Sequence, residues 1–198
     1  MPWEKSYDEK EVLDAAMRAF WTYGYEGTSM ADLVAVTGLN RGSLYAGFGN
    51  KRDLFLRALG HYDATYRTGH LERLAREQRP RDAILALFDL VERGDPDVPN
   101  GCLMVNTALD RAPHDPEIAA AVADSMAHVE AFFADCLARS TPPPPDTAET
   151  AQVLQGLLIA LLVLTRANRD SPAIPSLIAQ VGRLVGQEAT SAPTSPST

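Results

Sequence analysis

The sequence predicts an all-α protein, and two observations support this prediction. Apolar residues recur at spacings of three and four along almost the whole chain, which is the period of an amphipathic helix. No convincing alternation of apolar and polar residues between hairpin turns indicates a β-strand. With 198 residues, 45% of them hydrophobic and 22% charged, the chain is also long enough to bury a core of its own.

Four helices are expected before Pro80, because capping residues and helix breakers divide this stretch. Ser6 and Glu9 form a capping-box pattern that predicts the start of the first helix, and Gly24 is expected to end it. The next three helices are expected from Thr28 or Ser29 to Gly38, from Asn40 to about Phe48, and from Asn50 past Tyr66.

Longer helices are expected after Pro80, where apolar stripes alternate with Pro-rich and Gly-rich loops. The TPPPPD run at 141–146 cannot be helical and predicts a stiff connection. In chain order, the expected helices cover Ile84–Val91, Cys102–Arg111 and Ile118–Leu137, then a segment from Val153 and a last stripe from Leu177 to Val185.

The two C-terminal helices are expected to form a homodimer interface. Val153–Leu164 is apolar around most of its circumference, so it must be covered on more than one side. Two such helices from each of two copies would close a two-fold bundle. The alternative is that both helices complete the core within one chain. The residues expected at the interface are Leu157, Leu161, Leu177, Val181 and Leu184.

Several features predict a soluble cytoplasmic protein without membrane contact. The N-terminal MPWEKSYDEK lacks the apolar stretch of a signal peptide. Val153–Leu164 is well short of the roughly 20 apolar residues that cross a bilayer. The two cysteines are too few for a secreted disulfide framework. Residues 189–198 are low in complexity and are expected to be a disordered tail.

The net charge of −8 is unevenly distributed along the chain. Residues 1–81 carry 12 Lys and Arg against 11 Asp and Glu, whereas residues 82–198 carry 6 against 15. A mildly positive first part joined to an acidic body permits one face to meet DNA. A solvated acidic surface is the commoner meaning of such numbers.

Residues 25–51 have the spacing of a helix-turn-helix, with two short helices joined through a turn that contains Gly38. In that motif the second helix lies in the major groove, so its outward residues are small or polar. Inward packing is expected of Leu39, Leu44 and Phe48, and exposure at the N-terminal end is expected of Arg41, Gly42 and Ser43.

The runs F-x3-G-Y, T-S, L-Y-x2-F and N-K follow one another in order between Phe20 and Lys51. Over residues 6–66 the chain thereby resembles the TetR family of transcriptional regulators. The resemblance implies a helix-turn-helix DNA-binding domain at 6–66 and a helical ligand-binding and dimerisation domain at 67–188. It also implies a homodimer on a palindromic double-stranded DNA operator and a small-molecule effector. Ala46 and Gly47 stand where many relatives carry a polar or aromatic pair.

The resemblance implies two kinds of DNA contact. An arginine can fork onto a guanine edge and a serine can bond to any base, whereas groups at helix N-termini hold phosphates. The residues so assigned are Arg41 and Ser43 for the bases, and Thr28, Ser29, Tyr45 and Lys51 for the phosphates, with Gly42 as a further DNA-binding residue. The alternatives are that Thr28 and Ser29 only cap a helix and that Tyr45 is half-buried core.

The GCLMVNTALD run, followed by RAPHDPE, resembles one subgroup of the family in which a cysteine at this place senses electrophiles. Cys102 stands at an expected helix start, where the helix dipole would favour a thiolate. Cys102, Asn106 and Phe132 are assigned to ligand or redox sensing. The alternative is that Cys102 is an inert apolar residue, which is also the expectation for Cys136 on its apolar stripe.

The sequence offers no visible anchor for catalysis or for a metal. Its histidines form no i, i+4 pair and have no Cys-x2-Cys partner, and no phosphate loop or Gly-x-Ser-x-Gly elbow occurs. We therefore expect a ligand-responsive repressor that is not an enzyme and needs no cofactor or metal. The alternatives are a small all-α enzyme and a thiol switch that acts as an interaction module.

Overall fold

The computed structural model describes residues 7–186, and the regular structure in this range is helical. The prediction of an all-α protein is confirmed. The expected tail at 189–198 lies outside the described residues. The helices are α1 (Glu9–Gly27), α2 (Met30–Thr37), α3 (Arg41–Phe48), α4 (Lys51–Tyr62), α5 (Gly69–Glu77), α6 (Pro80–Arg93), α7 (Leu103–Asp110), α8 (Pro116–Ala138), α9 (Thr147–Ala167) and α10 (Ala173–Leu184).

Helix α1 begins and ends differently from the expectation. Asp8 is its N-cap, since the Asp8 carboxylate accepts a hydrogen bond of 2.7 Å from the backbone N–H of Lys10. Ser6 lies outside the described residues. Gly24 has a φ of 77°, the left-handed conformation expected there, but the helix resumes and ends at Gly27. Gly24 is therefore a kink within α1 rather than its end.

The starts of α2, α3 and α4 are confirmed, because the predicted side chains cap them. The hydroxyl of Ser29 accepts from the N–H of Asp32, the amide oxygen of Asn40 accepts from Ser43, and that of Asn50 accepts from Arg52 and Asp53. Gly38 ends α2 with a φ of 69°.

One continuous rod connects the two halves of the molecule. A π-helical turn, Asp63–Thr68, joins α4 to α5, and the predicted domain boundary at residue 66 lies inside it. The buried side chains form two clusters. The first packs α1–α4 against α7 and the start of α8, and the second packs α5, α6, α8, α9 and α10. Because the first cluster draws on both sides of residue 66, the two halves share a core.

The expected interface residues on α9 and α10 are only partly at the surface. Leu161 and Val181 are fully buried within the chain, so their assignment to a dimer interface is wrong. Leu161 and Val181 belong to the second core cluster. The half-buried residues Leu157, Leu177 and Leu184 pack against it. The open face of α9 instead carries Val153, Gly156, Ala160, Val163 and Ala167.

Helix α9 is a long, strongly apolar helix of the C-terminal half. It has 21 residues, and by length and composition alone it could cross a membrane. Only 22% of its most apolar window is buried within the single chain. Among the residues that the structure describes, the helix therefore leaves much of its apolar surface without a partner.

Candidate nucleic-acid interface and central cavity

The inner faces of α2 and α3 are fixed by the first core cluster. Leu33, Leu44 and Phe48 are buried, and Leu39 in the connecting turn is half-buried, as the helix-turn-helix interpretation expects. The opposite face of α3 is consequently turned to solvent. It carries Arg41, Gly42, Tyr45 and Ala46.

The open face of α3 combines one cation with small side chains. The Arg41 guanidinium carbon lies 5.9 Å from the centroid of the Tyr45 ring, and Tyr45 is 44% exposed. Ser43 is half-buried, one residue beyond Gly42. Such a face can approach another surface closely and offer it a guanidinium and two hydroxyl groups.

Two further predicted residues lie at the starts of neighbouring helices. Ser29 is exposed, and its hydroxyl also donates to the carboxylate of Asp32 at 2.7 Å. Lys51 is half-buried at the first position of α4, with its Nζ 4.2 Å from the centroid of the Tyr25 ring. Both residues therefore stand at helix N-termini, although each also has a partner within the chain.

Thr28 does not fit the role predicted for it. The residue is fully buried, and its hydroxyl donates to the carbonyl oxygen of Gly24 at 2.8 Å. The side chain fills the bend between α1 and α2, where no phosphate can reach it. The predicted phosphate contact of Thr28 is therefore wrong.

The packing behind α3 was missed by sequence reasoning. A Cβ on Gly47 would collide with the hydroxyl of Tyr7, and Nη1 of Arg57 donates to the carbonyl oxygen of Gly47 at 2.9 Å. The Arg57 guanidinium carbon also lies 4.5 Å from the centroid of the Phe48 ring. A larger residue at 47 would force the Tyr7 side chain to shift, and no local pattern links Tyr7 to a residue 40 positions away.

A cavity of about 190 Å³ lies at the junction of the two halves. Its lining comes from α1, the α4–α5 rod, α6, α7, α8, α9 and the loop between α6 and α7. Trp21 packs edge-on against Tyr62, with ring centroids 4.9 Å apart, and against Tyr66 at 5.8 Å. Most of the other lining residues are apolar, and the polar ones include Arg67, His70, Gln155 and Arg169.

Of the three residues predicted to sense a ligand, only Cys102 lines this cavity. The Tyr62 hydroxyl donates to its Sγ at 3.2 Å, and burial raises the pKa of Tyr62, which keeps this hydroxyl protonated. Asn106 borders a separate groove, and Phe132 packs against Phe133 in the second core cluster. Asn106 and Phe132 therefore lie outside this cavity, and their assignment to ligand or redox sensing stays a prediction.

Comparisons with known proteins identify both halves. Residues 12–58 match the model of the bacterial regulatory proteins of the tetR family, and residues 80–180 match the C-terminal domain of LmrA/YxaF-like transcriptional regulators. The chain belongs to the TetR family. It is a DNA-binding transcriptional regulator rather than an enzyme, and regulators of this family are soluble, form dimers and bind small-molecule effectors.

Individual relatives agree with this membership. The transcriptional repressor ComR of Escherichia coli (strain K12) is 31% identical over 82% of this chain and 81% of its own length. The regulator YezE of Bacillus subtilis (strain 168) is 39% identical over 58% of this chain, which spans 60% of YezE. A cysteine mutant of the TetR-family regulator CifR, in complex with 26-base-pair operator DNA, has a TM-score of 0.76 at 28% identity, covering 91% of this chain and 96% of CifR.

Polar contacts connect the TetR-type DNA-binding helices to the second half. Arg52 of α4 binds the carboxylate of Asp115 through Nε at 2.5 Å and Nη2 at 2.8 Å. Asp115 is the N-cap of α8, and Arg52 lowers its pKa. The Arg111 guanidinium carbon, at the end of α7, lies 4.5 Å from the centroid of the same Tyr25 ring that Lys51 contacts. Tyr25 is thus shared by a cation from each half.

Metal ligation has no candidate in the part of the chain that the structure describes. Within residues 7–186, no three side chains of His, Cys, Asp or Glu are placed to hold one ion. His61 pairs with Asp14 at 2.6 Å, and His128 lies 3.8 Å from Asp63. These histidines belong to pairwise contacts between helices.

Proposed function

We propose that this protein is a cytoplasmic homodimeric repressor, which a small molecule in the central cavity releases from a palindromic operator. The observation that carries this proposal is the composition of the cavity wall. Trp21 and Tyr62 come from helices of the DNA-binding half, whereas Met104 and Gln155 come from the other half. A molecule bound there contacts helices that position α3. If the bound molecule favours another distance between the α3 helices of the two chains, the affinity for the operator falls.

The DNA contacts follow from the open face of α3 and the adjoining helix starts. Arg41 is exposed where it can reach a guanine edge, and Gly42 and Ser43 beside it allow a close approach to the bases. Tyr45, Ser29 and Lys51 are accessible to phosphates on either side of the groove.

The dimer forms through the open apolar face of α9 and the half-buried residues of α10. Val153 and Val163 are 43% and 42% exposed, and Gly156 and Ala160 lie on the same face at helical spacing. Small residues at 156 and 160 allow two copies of α9 to approach closely. Burial of this face accounts for an apolar helix that the single chain leaves uncovered.

The cavity communicates with α3 through the contacts near Tyr25. Arg52 ties α4 to the start of α8, and Lys51 and Arg111 hold Tyr25 from the two halves. A shift of α7 or α8 on ligand binding therefore moves the start of α4, which adjoins α3. The functional boundary lies near residue 66, with residues 6–66 binding DNA and 67–188 binding the effector and the second copy.

Selection of duplexes from a random library by the full chain tests the function. A repressor of this type enriches a palindromic sequence, and light scattering of the complex shows two chains, or a multiple of two, on each duplex. Enrichment of sequences without two-fold symmetry, or no enrichment, contradicts the proposal.

Cys102 gives the cavity a second mode of response, to electrophiles that add to its sulfur. Cys102 borders the cavity, whereas Cys136 is fully buried, and burial raises the pKa of the Cys136 thiol. After brief exposure to N-ethylmaleimide, mass spectrometry should find Cys102 labelled several-fold faster than Cys136. Faster labelling of Cys136, or electrophile-induced operator release that persists in Cys102→Ser, eliminates this mode.

A further inference from the structure

The central cavity contains buried hydrogen-bond donors that the protein itself does not satisfy. Trp21 is 3% exposed and lines the cavity, and its indole N–H has no hydrogen-bond partner among residues 7–186. Arg67 also lines the cavity; its guanidinium pairs with Asp63, yet its buried Nε–H has no partner in the same range. Leaving such groups unpaired away from water is costly, so an occupant that accepts their hydrogen bonds is strongly favoured.

Two other polar side chains at the cavity already have partners within the chain. Arg169 donates to the carbonyl oxygens of Glu92 and Arg93 and to the side chain of Asn100 at distances of 2.6–2.9 Å. The side-chain amide of Gln155 donates to the carbonyl oxygen of Met126 at 2.9 Å. Within residues 7–186, the buried side-chain polar atoms without partners are all nitrogen donors. Among these atoms, Nε1 of Trp21 and Nε of Arg67 belong to residues that line the cavity, so an occupant that supplies oxygen acceptors would satisfy them.

The aromatic side chains that line the cavity determine which apolar part of a ligand fits. Trp21, Tyr62 and Tyr66 form an aromatic wall, with the two tyrosine rings stacked at a centroid distance of 6.0 Å. Aromatic rings pack favourably against such a wall. A volume of about 190 Å³ exceeds the ~150 Å³ of a dry cavity that holds benzene. One or two fused rings therefore fit.

We infer that the effector of this cavity is a small aromatic carboxylate, whose anionic group accepts from Trp21 and Arg67 while its ring packs against Tyr62 and Tyr66. This inference rests on the proposed function, since it assigns the chemical class of the molecule that releases the operator. Arg67 is already paired with Asp63, so the preference for an anion comes from the stronger hydrogen bonds that N–H donors make to a charged acceptor, and a cation is the least favoured occupant.

The inference is tested by calorimetric titration with three naphthalenes of similar size. These probes are 2-naphthoate, neutral 2-methylnaphthalene and cationic 2-naphthylmethylamine. The wild-type chain should bind 2-naphthoate roughly tenfold or more tightly than either of the others. Equal affinity for all three, preference for the neutral or cationic probe, or no binding of 2-naphthoate overturns the inference.

Two conservative variants test whether Trp21 and Arg67 cause the preference for 2-naphthoate. Trp21→Phe keeps the ring and removes the N–H, and Arg67→Lys keeps the charge beside Asp63 and removes Nε–H. Each should reduce the preference for 2-naphthoate by roughly tenfold. Tyr23→Phe and Arg73→Lys, at exposed positions outside the cavity lining on α1 and α5, should leave it unchanged. An unchanged preference in both cavity variants overturns the assignment.

Operator binding, measured separately by fluorescence anisotropy, distinguishes this inference from the proposed function. A chain that binds a selected palindrome but shows no preference for 2-naphthoate retains the proposed function and loses this ligand class. A chain that prefers 2-naphthoate but selects no palindrome retains the ligand class and loses the repressor function.

Discussion

The outer faces of α3 and α9 are both open in the single chain, but they differ in chemistry. The face of α3 presents Arg41, Tyr45 and small residues around Gly42, which suits a polyanion approached at close range. The face of α9 presents the apolar side chains of Val153, Ala160 and Val163. The difference shows that one chain can leave two surfaces of opposite chemistry open, and we propose that DNA covers the first and a second copy covers the other.

The largest expected effect comes from placing charge on the face of α9. Ala160→Asp combined with Val163→Asp should abolish the dimer, because four carboxylates would meet in an apolar interface. Operator affinity should fall by a factor on the order of 10²–10⁴, since each half-site would then be bound independently. Light scattering and anisotropy titrations measure the two effects.

The matched control adds the same two charges elsewhere. Ala120→Asp and Ala123→Asp lie at exposed positions on α8 and should leave the dimer intact. A folded dimer of unchanged mass in the α9 variant would place the interface on another surface.

Substitutions on the buried side of α9 should lower the free energy of unfolding. Leu161 is fully buried, so Leu161→Ala should lower the free energy of unfolding by about 2–5 kcal/mol through a cavity in the second core cluster. Leu109 is 75% exposed, so Leu109→Ala should change the free energy of unfolding by less than about 0.5 kcal/mol. Urea denaturation measures both, and equal effects would contradict the orientation of α9.

The helix-turn-helix region could be predicted from the sequence better than α9 could. The ends of α2, α3 and α4 depend on Ser29, Gly38, Asn40 and Asn50, whose capping contacts lie within four residues. Which residues of α9 are buried depends on the distant helices that pack against it. Periodicity alone therefore could not show that Leu161 is buried and Val163 is exposed. The phosphate contact predicted for Thr28 failed for a similar reason, because a pattern that fits a binding site also fits a buried position.

On the face of α3, substitutions should separate base from phosphate recognition. Arg41→Ala should reduce discrimination between the selected operator and a scrambled duplex by about 1–3 kcal/mol. Lys51→Ala should weaken binding to both duplexes about equally, because phosphates carry no sequence information. Anisotropy titrations on the two duplexes measure this, and equal losses of discrimination in both variants would remove the division of roles.

The smallest expected effect concerns the ion pair that joins the two halves. Arg52 lowers the pKa of Asp115 in the folded chain, whereas an unfolded aspartate titrates near 3.9. The stability from this shift is therefore complete above the unfolded pKa and is lost as the pH falls below it toward the folded pKa. The free energy of unfolding should fall more steeply from pH 5 to pH 3 in the wild type than in Asp115→Asn.

The control for this acid dependence is Asp124→Asn, at an exposed position of α8. Its profile should follow that of the wild type. Asparagine at 115 can still cap α8, so the variant removes the charge rather than the cap. Parallel profiles for the wild type and Asp115→Asn would show that the ion pair does not contribute.

The central claim is that the face of α9 pairs two chains so that their α3 faces meet one operator. A spin label at Ala46→Cys, in a chain with both native cysteines replaced by serine, reports the separation of the two α3 helices. On the selected palindrome, double electron–electron resonance should give one narrow distance near the 34–36 Å that separates adjacent major-groove turns, extended by the label arms. The absence of a label pair, or a separation unrelated to the helical repeat of DNA, would contradict the account.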